Sequence, residues 1–127
     1  MDDAHLAAKY ARINSSIGAY LRYLRQQAVR RAGTVELDDA DIRALWDKQD
    51  GRCAYTNWRM TKTLGRGIVP TNCSIDRISS EVGYVQGNVQ LVCRCVNTAK
   101  SALPEHQFVR MCEAVVTGQK SEGDDDA

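Results

Sequence analysis

The stretch SIDRISSEVGYVQGNVQLVCRCVNTAK, residues 74–100, decides the fold. Taken with the preceding Cys73, the run Cys73 to Ile78 is short and β-branched and predicts a strand, and Val89 to Val92 predicts the strand that returns beside it. Between them Ser79 to Gly87 holds Gly83 and Gly87 and reads as the connecting loop. Arg94 to about Leu103 then predicts a helix. Two strands and a helix in immediate succession make a hairpin-plus-helix unit.

Helices flank that unit on both sides. Upstream, from about Leu6 to Arg31, Tyr10, Ile13, Ile17, Leu21 and Leu24 recur every three or four positions and predict one long amphipathic helix, which Gly18 after Asn14-Ser15-Ser16 could break or kink. Gly33 closes it. A second helix opens at Asp38 or Asp39, with Leu37 as a hydrophobic staple, Asp41 in the first turn, and Ile42, Leu45 and Trp46 on the buried face. Asp50-Gly51 ends it, Arg52 to Trp58 reads as strand-like, and Thr61 to Gly67 as irregular. Downstream, Pro104 suits the first turn of a last helix with Phe108, Met111, Cys112 and Val115 inward and Gly118 at its end. The fold class is α+β: a basic N-terminal helical region over 1–34, a hairpin-plus-helix domain over 35–118, and an acidic tail over 119–127 that reads as disordered.

A chain of 127 residues suits a single core. No apolar run approaches the roughly 18 residues of a membrane span, and no basic segment leads into a continuous apolar one at the start, so a cytoplasmic protein with no membrane partner is expected. The five cysteines, Cys53, Cys73, Cys93, Cys95 and Cys112, are odd in number and read as reduced thiols. Their spacing offers no C-x2-C pair, which disfavours structural zinc.

The net charge of +1 conceals a basic body. Ser121 to Ala127 holds four of the 16 acids, so residues 1–120 carry 17 bases against 12 acids, a net of +5. Lys9 to Arg31 alone carries six bases and no acid, with Tyr20 and Tyr23 among them. Such a run is either a solvated helix face or a surface that contacts phosphates and gains affinity from counterion release. The sharper reading makes Arg22, Arg25, Arg30 and Arg31 DNA contacts.

Residues 74–100, with the lead-in LWDKQDGRCAYTNW before them, resemble the HNH nuclease motif and most closely its small phage-type members in which the paired residues read Asp-Arg. The likeness covers about residues 35 to 102. It implies a ββα-metal core in which Asp76 stands at the first metal ligand, Arg77 at the usual general-base His, Asn88 at the middle Asn and Asn97 at the helical His or Asn. Ser101, one turn after Asn97, matches a position that supplies a further ligand in some members. By this resemblance the chain is a metal-dependent endonuclease acting on duplex DNA, with Asp76, Arg77, Asn88 and Asn97 catalytic and Asp76 and Asn97 on the metal.

The chemistry of the side chains agrees with that assignment. A carboxylate and a carboxamide oxygen are hard donors suited to Mg²⁺ or Mn²⁺, which keep several waters and need only one or two protein oxygens. Asn88 suits holding the loop better than binding metal. Lys100 shares a helix face with Asn97 and is expected to reach a neighbouring phosphate. Arg77 departs from the family: a guanidinium does not take a proton near neutral pH, but it clamps and stabilises a phosphate well. His5 and His106 stand outside the motif. Two other readings remain: an HNH-like module that binds nucleic acid without cutting it, and a helical partner-binding protein. The apolar stripe of the first helix offers either a homodimer face or a face packed in its own domain.

Overall fold

A computed structural model describes residues 2–119, so the acidic tail expected over 119–127 lies, from Lys120 on, outside the described residues. The chain is α+β, with helices α1 (Asp3–Asn14), α2 (Ile17–Ala32) and α3 (Asp39–Lys48), strands β1 (Cys73–Arg77) and β2 (Val89–Cys93), then helices α4 (Arg94–Lys100) and α5 (Glu105–Gly118).

The single N-terminal helix expected over 6–31 is two helices, and the break falls at Ser15-Ser16 rather than at Gly18. Ser15 Oγ donates to the Arg12 carbonyl at 2.7 Å, while Ser16 leaves the helical region (φ −153°, ψ 159°) and its Oγ accepts from the Ala19 N–H at 3.1 Å. Serine hydroxyls that compete with the helical ladder end α1 and cap α2. The corner is held by Asn14, whose amide donates to the Leu64 carbonyl and accepts from the Leu64 N–H, both at 2.9 Å. Helix α3 starts where the sequence places it. Asp38 and Asp41 form a capping box, each side chain accepting from the other's N–H, at 2.8 and 2.9 Å.

Arg52 to Trp58 forms no strand. It is a tight turn closed by the Cys53 N–H on the Trp58 carbonyl at 2.8 Å, with Asn57 at φ +61° and a lone bridge between Arg52 and Arg59. Strands β1 and β2 do pair antiparallel, with Ile75 opposite Leu91 and Asp76 opposite Gln90. Helices α2 and α4 pack against β1, and α3 and α4 against β2. Both faces of the hairpin are therefore covered, and its side chains do not alternate cleanly between inside and outside.

Tyr20, Leu21 and Ala28 of α2 join Ile42, Ile75, Leu91 and Val92 in one core. Tyr20 is the pin between them, its hydroxyl donating to the Cys73 carbonyl at 2.8 Å in a buried setting. Burial pushes that phenol well above its ordinary pKa. Ile13, Ile17 and Leu24, each partly buried, pack on the same core, so α1 and α2 both lie against it.

The last helix departs from expectation at its inward face. Of Phe108, Met111, Cys112 and Val115 only Phe108 is buried, its ring edge-on to Tyr55 with centroids 5.3 Å apart. Hydrophobic period identifies a face without supplying a partner for it. α4 also stops earlier than Leu103, because Ser101 turns to φ +49°.

Gly51 closes α3 at φ +67°, where an added β-carbon would lie 2.9 Å from the Trp46 ring. Gly67 has φ +71° and open space around it. Gly67→Ala should therefore lose only the left-handed backbone cost of about 1–2 kcal/mol. Gly51→Ala should lose more, because the Trp46 clash adds to it. Urea denaturation of the two variants measures the difference, and equal losses would mean that Trp46 yields freely.

Candidate functional site

A cleft of about 490 Å³ lies where α2 faces β1 and α4. Tyr23, Gln27 and Arg31 line it from α2, Asp76 and Arg77 from β1, and Arg94, Asn97 and Thr98 from α4, with Tyr84 and Ser101 at the loops. Three of the four residues expected in the site by sequence, Asp76, Arg77 and Asn97, thus share one cleft. Asn88 does not line it.

Asp76 is buried at 3% exposure and its carboxylate is held on both oxygens. Lys100 Nζ donates to Oδ1 at 3.2 Å and Gln90 Nε2 to Oδ2 at 2.9 Å. The strand register puts Gln90 directly opposite Asp76, a pairing that counting outward from the loop could have found. Arg77, the next residue, is half-buried. Its guanidinium lies over the Tyr84 ring, 5.2 Å from the centroid, and donates to the Ser80 carbonyl at 3.2 Å. Tyr84 thus packs as a platform under the arginine. Asp76 and Arg77 both address the cleft because β1 ends at Arg77, where strict alternation lapses.

Asn97 donates through Nδ2 to Ser74 Oγ at 2.9 Å and the Ile75 carbonyl at 3.2 Å. These bonds fix its amide plane, and among the described residues no donor bonds its Oδ1. Asn88 has the opposite arrangement. Its Oδ1 accepts from the Ser79 N–H, and its Nδ2 faces the carbonyls of Ser79, Val82 and Gly83, all within 2.9–3.1 Å. It locks the 79–88 loop and thereby positions Arg77 and Tyr84.

Lys100 corrects the expectation that it contacts phosphate. It is 1% exposed, and its ammonium is spent on Asp76, on the Arg77 carbonyl at 2.9 Å and, more weakly, on the Ile78 carbonyl at 3.5 Å. A charge buried that deeply survives only when its donors are matched, and here they are. Arg25 is also turned inward: it donates to the Leu37 carbonyl and ties α2 to the start of α3. Arg22 pairs with Asp39 at 3.3 Å, both about half exposed. Arg30 and Arg31 are exposed. Arg94, at the start of α4 and exposed, joins the cleft without having been singled out in the sequence.

The electrostatic result is simple. Lys100 answers the one carboxylate of the cleft, leaving Arg31, Arg77 and Arg94 in excess. Neither His5 nor His106 lines the cleft.

Cys53, Cys73 and Cys93 are buried, Cys73 and Cys93 as a cross-strand pair at the open end of the hairpin, with Cys53 Sγ accepting from the Cys93 N–H at 3.3 Å. Burial, reinforced by the neighbouring thiols, pushes Cys73 far up and Cys93 to about 12. Burial also raises Cys53, but hydrogen bonds from Thr56 and from backbone N–H groups outweigh it and bring that thiol below its ordinary value. Among the described residues no group of three or more His, Cys, Asp or Glu is placed to hold a metal ion. Neither a family model, nor a curated protein, nor a solved structure matches the chain.

Lys100→Met should cost about 3–5 kcal/mol, since it strands the Asp76 carboxylate in the interior. Adding Asp76→Leu should recover much of that loss in guanidinium denaturation; no recovery would show that Lys100 acts through the carbonyls alone. Asn88→Asp should also destabilise, by about 1–3 kcal/mol, because a carboxylate cannot donate to the three carbonyls that Nδ2 faces. A thermal melt unchanged from wild type would remove the loop-locking role.

Proposed function

We propose that the chain is a metal-dependent endonuclease of the HNH type that hydrolyses DNA phosphodiester bonds. The observation that carries this reading is the convergence of Asp76, Arg77 and Asn97 on one arginine-lined cleft at the junction of a hairpin and the helix that follows it. A polyanion is the ligand that such a cleft attracts.

The donor set fits one Mg²⁺ or Mn²⁺. Each Asp76 oxygen accepts a single protein hydrogen bond and keeps a lone pair, and Asn97 presents an Oδ1 that no described donor bonds. Two oxygens with water completing the shell are what these ions ask of a protein when a phosphate is to be the remaining ligand. Such an ion supplies Lewis-acid polarisation of the scissile phosphate.

The chain's own residues do the rest. Arg77, pre-set by its stacking on Tyr84, holds the phosphate and stabilises the charge that grows on it. Arg31 and Arg94 neutralise the flanking phosphates from opposite walls of the cleft. Asn97 is kept in register by Ser74 and the Ile75 carbonyl. Arg77 is not a base, and no imidazole lines the cleft, so water activation belongs to none of the histidines.

A second reading is favoured by the Lys100–Asp76 pair. An ammonium 3.2 Å from one ligand oxygen opposes a divalent cation there, which suits a module that binds nucleic acid and has lost cleavage.

Supercoiled-plasmid cleavage with Mg²⁺ or Mn²⁺ separates the two. Wild type should nick or cut, and Asn97→Ala should abolish the metal response. Arg77→Ala should slow cleavage by about 10²–10³-fold, the usual loss for one oxyanion donor, while DNA affinity falls far less. Wild type that binds DNA and leaves it intact across metals and pH would establish the binding module and end the nuclease reading.

A further inference from the structure

The cleft has a neighbour across α2. A groove of about 220 Å³ runs between α1 and α2, lined by Lys9 and Arg12 from α1 and by Arg22 and Arg30 from α2. No acid lines it. Arg22 is partly answered by Asp39, but among the described residues Lys9, Arg12 and Arg30 have no carboxylate within 4.0 Å.

Helical spacing explains why the two grooves adjoin. On α2, residues 20, 24 and 31 face the cleft while 19, 22, 26 and 30 face the groove, and Tyr23 and Gln27 line both. Those two residues, one turn apart, form the ridge between two basic channels. Tyr23 on the ridge is half-buried and carries an aromatic face.

We propose that the α1–α2 groove takes the phosphate backbone of a single strand that continues out of the cleft, with Tyr23 as the surface on which a base stacks at the crossing. The proposal rests on the cleft's taking nucleic acid and names the form of the substrate beyond it. A positive channel interrupted by an aromatic side chain is the arrangement that binds unpaired strands, because every base has a face to stack. A duplex, stiff over about 150 base pairs, does not follow a strand path from one side of a helix to the other. Lys9, Arg12 and Arg30 hold phosphates without reading sequence, so base preference in this groove is weak.

The test is fluorescence anisotropy of the full chain, without divalent metal, on labelled oligothymidylates of about 4 and about 16 residues, lengths that bracket common single-strand site sizes. Lys9→Gln/Arg12→Gln should weaken the long oligomer at least about ten-fold and leave the short one within two-fold. It should also lower the salt slope by about 1.4, two contacts at roughly 0.7 each. Tyr23→Leu should weaken the long oligomer by about five- to a hundred-fold, and Tyr23→Phe should not. Circular dichroism melts confirm that these variants fold.

A duplex of equal length that binds more tightly than the single strand and is indifferent to Tyr23→Leu would overturn the single-strand assignment. Equal losses on short and long oligomers would overturn the separate groove. Wild type that cuts plasmid while none of these variants loses affinity sinks this inference alone. Folded wild type that binds no oligonucleotide or plasmid sinks the nuclease reading with it.

Discussion

The buried pair of Lys100 and Asp76 is the constraint around which the rest is arranged. Two opposite charges, both almost wholly removed from water, tie the end of α4 to the end of β1. The desolvation cost of such a pair is tolerable only when the ammonium's donors and both carboxylate oxygens are hydrogen-bonded. Gln90 meets the second carboxylate oxygen, and the carbonyls of Arg77 and Ile78 meet the ammonium. The strand register places Gln90 opposite Asp76, and α4 runs to Lys100 before Ser101 turns out of the helix. The pair explains why β1 is buried at Asp76 while Arg77 beside it remains open to the cleft.

From that anchor the cleft follows. Asn97 lies one helical turn before Lys100, so holding Lys100 against β1 also presses Asn97 onto Ser74 and the Ile75 carbonyl. Asn88 closes the loop between the strands from within. The loop then carries Tyr84 under Arg77, and the arginine is held at the rim without an acidic partner to consume its charge. α2 supplies the opposite wall because Tyr20 is pinned to the Cys73 carbonyl, which turns Tyr23, Gln27 and Arg31 of the same helix toward the cleft. The same ammonium that builds this arrangement sets its central tension, since it neutralises the carboxylate that a divalent ion would use.

The molecule is uneven in how much of it is committed to a core. α2 and the hairpin are knitted together by buried side chains, and α1 joins them through the half-buried Ile13 and through Asn14 on Leu64, whereas α5 contributes a single buried residue and leaves Val115 and Val116 in water. The basic residues divide in the same way. Arg25 and Lys100 are structural, Arg22 is half answered by an acid, and Arg30, Arg31, Arg77 and Arg94 remain available. A count of bases along a helix does not distinguish these fates; which face each one takes does.

The sequence by itself determined the elements whose cause is local. The hairpin, the start of α3 at Asp38, and the loop role of Asn88 follow from β-branched runs, caps and turn residues within a few positions of one another. Asp76, Arg77 and Asn97 were picked out as one set by the resemblance of residues 74–100 to the HNH motif, and all three line the cleft. The serine break between α1 and α2 was present in the sequence but was outweighed by the continuing apolar period, which two helices packed on one core preserve. Only the tertiary structure decided the partners: Lys100 inward on Asp76, Arg25 on a carbonyl, Arg94 in the cleft, α5 largely uncovered. These depend on what lies across the fold. Burial can hold a charged side chain inside when a matching group waits there, and no pattern along the chain records whether one does.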